Sequence, residues 1–149
     1  MESLNLSSSA FKHNGSIPSK YTCDGADINP PLMIDNVPTT AKALALIVDD
    51  PDAPAGTWVH WVMWNINLST KDIKENSVPQ GAEQGVNDFR KRYYGGPCPP
   101  SGTHRYFFKL YALDSTLTLG TNTGKDALEK AMKGHILAQC ELIGLYKRK

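Results

Sequence analysis

Hydrophobic positions in this chain come in short runs broken by proline and glycine at close intervals, the punctuation of strands and loops rather than of helices. The run ALALIV, residues 43 to 48, is apolar throughout and ends in turn residues, so it reads as a strand covered on both faces. WVHWVMWNI, residues 58 to 66, reads as another strand. Alternation puts Trp58, His60, Val62, Trp64 and Ile66 on one face and Val59, Trp61 and Met63 on the other. HRYFFKLYAL, residues 104 to 113, repeats the design, with His104, Tyr106, Phe108, Leu110 and Ala112 sharing a face opposite Arg105, Phe107, Lys109 and Tyr111.

One segment has helical spacing. Thr123 stands at the cap position, Asp126 in the first turn, and Ala127, Leu128, Ala131 and Met132 form an apolar stripe before Gly134 at the C-terminal cap. A last strand, ILAQCELIGLY, follows it. Residues 67 to 100 are the least regular and predict long loops. Many short strands and one late helix predict a mainly β fold, a two-sheet antiparallel β-sandwich forming a single domain over residues 1–149.

Composition narrows the function classes. Sixteen basic and fifteen acidic residues leave a net charge of +1, which gives no reason to expect nucleic acid as a partner. The basic tail Lys147, Arg148 and Lys149 reads as a solvated chain end. Cys23, Cys98 and Cys140 are odd in number and widely spaced, which fits free thiols in a reducing compartment better than a disulfide scaffold. MESLNLSSSAF lacks the basic and apolar regions of a signal peptide, and no apolar run approaches a membrane span. A cytoplasmic location is the expectation.

Two clusters could carry chemistry. The first is DDPDAPAGTWVHW, residues 49 to 61, where Asp50 and Asp52 at a strand end could orient and charge His60. Asp before Pro is also ordinary turn chemistry, and the pattern alone does not choose between them. The second is GGPCPPSGTHRYFF, residues 95 to 108. His104 and Tyr106 leave one strand face about 7 Å apart, where imidazole and phenol can both donate to one anionic oxygen group. Gly95, Gly96 and Gly102 allow close backbone approach while Pro97, Pro99 and Pro100 stiffen the loop, as in a preformed pocket. The alternative is a His and a Tyr satisfied inside the sandwich. Cys98 lies in this loop, but nothing marks it as an activated nucleophile. His13 reads as a solvated turn residue, and His135, just after the helix, suits its dipole. Two histidines and one carboxylate match a metal triad, but His60 and His104 lie on different strands and the spacing gives little support to a metal site; neither a P-loop nor a Gly-x-Ser-x-Gly elbow occurs.

Taken in order, DPDAP, a strand with an internal His, and GPCPPSGTHRYFFKLYAL resemble the two signature regions of the phosphatidylethanolamine-binding protein family, which includes the Raf kinase inhibitor proteins. IPSKYTCDGADINPPL (residues 17 to 32) and GHILAQCELIGLYKR (residues 134 to 148) are similar to its bacterial and archaeal branch. The resemblance implies a two-sheet antiparallel sandwich with a small pocket for phosphate-like anions and phospholipid head groups. It places Asp50, Pro54, His60, Pro100, His104 and Tyr106 around that pocket, with Gly96 and Pro97 in its wall, and predicts a cis Ala53–Pro54 bond. In that setting Asp50 would accept a hydrogen bond from a pocket histidine, or protonate and donate, while Asp52 braces the loop or pairs with a surface cation.

The resemblance implies no catalytic residue, cofactor or metal. A hydrolase using the His/Asp pocket is the weaker alternative. A protein-interaction inhibitor of a kinase or serine protease is another, as some relatives are, with residues 67 to 92 as the candidate surface. Homodimers occur among bacterial relatives. Two departures stand out: Val59–His60 where mammalian members carry a His pair, and an end at Lys149 where they extend into a helix flanking the pocket. Both bear on lipid-tail contacts and kinase inhibition more than on the anion site.

Overall fold

The structure is a computed structural model that describes residues 3–148; Met1, Glu2 and Lys149, the last of the basic tail, lie outside the described residues. The strands are β1 (Asn5–Ser7), β2 (Gly15–Ser16), β3 (Leu32–Asp35), β4 (Ala43–Asp50), β5 (Trp58–Ile66), β6 (Asp72–Ile73), β7 (Glu83–Gln84), β8 (His104–Leu113) and β9 (Ile136–Tyr146). They form a three-stranded sheet ordered β1-β3-β6 and a six-stranded sheet ordered β2-β9-β8-β4-β5-β7. Pairing is antiparallel except between β2 and β9, which run parallel over a two-residue register. The mainly β, two-sheet reading of the sequence therefore holds.

β4 is buried along its whole length because it sits centrally in the large sheet with apolar layers on both sides. Leu44, Leu46 and Val48 join the core between the two sheets, which Phe108, Leu110 and Leu142 also enter. Ala45 and Ile47 face a second cluster under the helix α1 (Lys125–Met132), where Leu128 and Met132 pack on Val62, Trp64 and Tyr111. Adjacent strand residues point to opposite faces, so a continuous apolar run is what a doubly covered strand requires.

The helix begins one residue later than its sequence suggests. Its N-cap is Gly124, without a side-chain cap bond, while the Thr123 hydroxyl donates to Gly120 O at 2.6 Å and closes the preceding turn instead. Gly134 follows the last turn with φ of 84°, the left-handed conformation that stops a helix and that glycine adopts without strain.

Alternation fails in β5. Val48 pairs with Trp61 but Asp49 with Val59, so His60 is an extra residue in the ladder. A second irregularity lies between the Leu46–Met63 and Leu44–Ile66 pairs, where Asn65 has φ of 55°. As a result Val59, Val62 and Trp64 pack under the helix while Trp61, Met63 and Ile66 enter the inter-sheet core, which splits the face that strict alternation assigned.

The cysteines are the larger correction. Cys23 and Cys98 form a disulfide with Cα atoms 5.4 Å apart, and Cys140 is free. Seventy-five residues separate the pair, so no short motif betrayed it. The cysteine count therefore gives no support to a reducing compartment. Among the described residues, no helix is long and apolar enough to cross a membrane.

Candidate functional site

The carboxylates at the end of β4 are separated first by strand alternation. Asp49 turns to the helix side, where Lys109 Nζ lies at 3.0 Å and Lys125 Nζ at 2.9 Å. Asp50 turns the other way and accepts a bond from His104 Nδ1 at 2.6 Å through Oδ2, while Oδ1 accepts the Asp52 N–H at 2.8 Å. This second bond is an Asx turn, the local device by which an aspartate fixes the loop that follows it. Asp52 then reaches across to the start of β8 and takes the Arg105 backbone N–H, Nε and Nη2, each at 2.9 Å. The Arg105 guanidinium holds its carboxyl down to about 2. The loop is thus tied at both acids, and Gly56, with φ of 111°, closes its turn onto Ala53 O at 3.1 Å. The Ala53–Pro54 bond is trans, against the cis bond predicted from the resemblance. The side-chain and turn bonds secure the loop with the peptide bond in its lower-energy isomer.

The β5 bulge aims His60 at the same space. Gly95 holds that residue from two sides: its N–H donates to His60 O at 3.0 Å, and its carbonyl takes His60 Nδ1 at 2.7 Å. Asn87 Nδ2 adds a bond to His60 O at 2.9 Å. The imidazole lies edge-on to Tyr106 and to Phe89, with centroids 5.2 and 5.3 Å away. Burial pushes its pKa below the usual value of 6.5, against the smaller raising effects of the Gly95 carbonyl and the Asp50 charge.

Tyr106 sits between the two imidazoles. It is fully buried, and its hydroxyl makes no well-formed hydrogen bond, although the Asp50 carboxylate and the Cys98 backbone act on it. Burial first, and then the nearby Asp50 charge, push the phenol's pKa up, so it stays protonated. Both histidines spend Nδ1 on the protein, His60 on the Gly95 carbonyl and His104 on the Asp50 carboxylate.

Asp50, Pro54, His60, Pro100, His104 and Tyr106 line one cavity of about 280 Å³. Gly96 and Pro97 do not line it; they anchor its wall from behind. Gly96 N donates to Asp27 Oδ1 at 2.8 Å, and Pro97 O accepts the Cys23 N–H at 3.1 Å. A Cβ on Gly96 would meet Asp27 Oδ1 and Tyr21 O, both 2.4 Å away, so glycine is required by that packing rather than by a ligand.

Ala53, Trp58 and Phe89, which the sequence did not single out, also line the cavity, as does Pro99 of the stiff loop. Phe89 had no local signal, since its place depends on Gly95, where a Cβ would fall 2.5 Å from its ring. Cys98 is also in the wall, but with its sulfur in the disulfide it offers no thiol nucleophile. A larger depression of about 500 Å³ beside the start of α1 has no imidazole in its lining.

A model of the phosphatidylethanolamine-binding protein family matches residues 7–147. The chain belongs to that family. A UPF0098 protein of Methanothermobacter thermautotrophicus is 52% identical over 150 residues, covering 97% of this chain and 99% of the relative. Another, from Pyrococcus horikoshii, is 51% identical over 95% of this chain and 76% of its own length. Among solved structures, a phosphatidylethanolamine-binding protein homologue from Chlamydia trachomatis superposes with a TM-score of 0.96 at 40% identity, over the whole of both chains. YbcL of E. coli, described as a member of the mammalian family, gives 0.92 at 28% identity over 99% of this chain and all of its own. For this member of the phosphatidylethanolamine-binding family, two residues that the resemblance placed in the pocket wall, Gly96 and Pro97, serve to hold that wall in place.

Proposed function

We propose that the chain binds small phosphate-like anions, such as phosphate monoesters or head groups, in the cavity between β4, β5 and β8, without turning them over. The observation that carries this reading is the buried hydroxyl of Tyr106, which makes no well-formed hydrogen bond and is set between two imidazoles whose Nδ1 atoms are already engaged by the protein. A phosphoryl oxygen seated there would satisfy the phenol, and Asp50, 2.6 Å from His104 Nδ1, would hold that imidazole toward it. The family name points to the same ligand class. A volume of about 280 Å³ fits a head group rather than acyl chains. Non-catalytic binding is favoured because the wall's only sulfur is in a disulfide and no serine, threonine or lysine lines the cavity among the described residues.

The test is a phosphate titration followed through the imidazole NMR signals. Saturable shifts at His60 and His104, with His13 and His135 unmoved, are the expected result, and His104→Ala is expected to abolish binding while the circular dichroism spectrum is kept. Unchanged affinity in that variant would overturn the assignment.

A further inference from the structure

The two pocket imidazoles are held by different chemistry. His104 Nδ1 faces a carboxylate, Asp50 Oδ2, whereas His60 Nδ1 faces a peptide carbonyl, Gly95 O, at 2.7 Å. A carbonyl oxygen only accepts, so the proton of a neutral His60 ring must sit on Nδ1. The ring is 3% exposed and has no carboxylate bonded to it. The charges that act on it are Asp50 and Asp49 on β4 and Asp27 across the wall, and burial outweighs them, which favours the neutral form. A neutral ring protonated on Nδ1 carries a bare lone pair on Nε2. His60 thus offers the ligand an acceptor, not a donor.

On the other side of the cavity the Tyr106 hydroxyl supplies a donor. A donor on one side and an acceptor on the other match an oxyanion that keeps one P–OH beside its charged oxygens. Fully deprotonated oxyanions and sulfonates, which have no proton to give, would leave the His60 lone pair facing an oxygen lone pair, a repulsive contact in a buried site. We infer that the pocket selects the monoprotonated form of a phosphate monoester or phosphonate, with Nε2 of His60 accepting the ligand's P–OH. This inference rests on the anion-binding reading above and adds to it the ligand's protonation state.

Methylphosphonate and methanesulfonate test it, because at pH 6 both are monoanions of similar shape and only the first has a proton to give. Wild-type protein is expected to prefer methylphosphonate by about tenfold or more, the worth of one hydrogen bond against a repulsive pair. The preference is expected to vanish at pH 9, where methylphosphonate is a dianion. In His60→Phe the ratio of the two affinities should collapse toward one, whatever their absolute values. Nitrogen NMR of the wild type keeps the test open should that variant misfold: free His60 is expected to show an unprotonated Nε2 that shifts when methylphosphonate binds. Equal affinities in the wild type, or an imidazolium at His60 in the free protein at neutral pH, would overturn this inference and leave the anion pocket standing. Binding of neither ligand would remove both.

Discussion

Asp49, Asp50 and Asp52 end in three different surroundings, and each has a separable effect. Asp49 is held by two lysines on the helix side, Asp50 orients an imidazole in the pocket, and Asp52 pins the loop to β8. Asp50→Asn keeps the shape and removes the charge opposite His104. Phosphate affinity is expected to fall tenfold or more, since a charge-assisted bond contributes roughly 1.5–3 kcal/mol, and calorimetric titration reads the loss. Asp52 acts on stability instead. Its folded pKa is depressed to about 2 from 3.8, so its contribution is present above the unfolded value and is lost as pH falls from about 4 to about 2. The Arg105 side chain is 53% exposed, so screening holds the effect to on the order of 1 kcal/mol or less. Arg105→Gln is expected to flatten that part of the acid-denaturation profile. A profile identical to wild type would mean the pair contributes nothing.

At the scale of elements, β4 was legible as a short continuous apolar run that needs cover on both faces, and β8 because its two faces alternate along the strand. β5 was legible as a strand but not in its facing, because two irregularities change which residues share a side. A bulge is a pairing event between strands, and nothing within WVHWVMWNI marks it. The wall loop shows the same limit. Its glycines and prolines announced a tight, stiff turn, but its position comes from ties to distant residues: Tyr94 Oη to Tyr21 O at 2.7 Å, and Gly96 N to Asp27 Oδ1 at 2.8 Å. Gly95 is where these elements meet, bonded to His60 on one side and packed against Phe89 on the other. Gly95→Ala would set a methyl 2.5 Å from the Phe89 ring, and a flat aromatic already wedged against His60 and Trp58 has little room to give. Overpacking of this kind is expected to cost about 1–3 kcal/mol and to weaken anion binding by moving Phe89 and His60 together. Urea unfolding reads the first effect as a lower midpoint at unchanged slope. A midpoint equal to wild type would show the wall to be softer than its contacts imply.

For the whole molecule, the order of elements and the family signatures could be read from the chain, yet the covalent link that joins its first quarter to the pocket could not. Cys23 lies in the segment after a short helical turn at Ser19–Tyr21, and Cys98 lies in the pocket wall. Neither sits in a paired motif, so only the folded arrangement brings them together. A bridge across 75 residues removes chain entropy from the unfolded state, worth about 4 kcal/mol in the loop-closure account and about 2–5 kcal/mol for native bridges in practice. The same bridge holds the wall behind His60 and Tyr106. Reduction should therefore act twice, lowering the melting temperature and weakening phosphate binding, while the apolar layers on both faces of the large sheet keep the sandwich folded at room temperature. Cys23→Ser is expected to reproduce both effects without reductant, and Cys140→Ser neither, since Cys140 is outside the bridge and the cavity. A reductant that lowers stability but leaves phosphate affinity unchanged would separate the two roles and assign the wall's rigidity to the Tyr94 and Gly96 bonds alone.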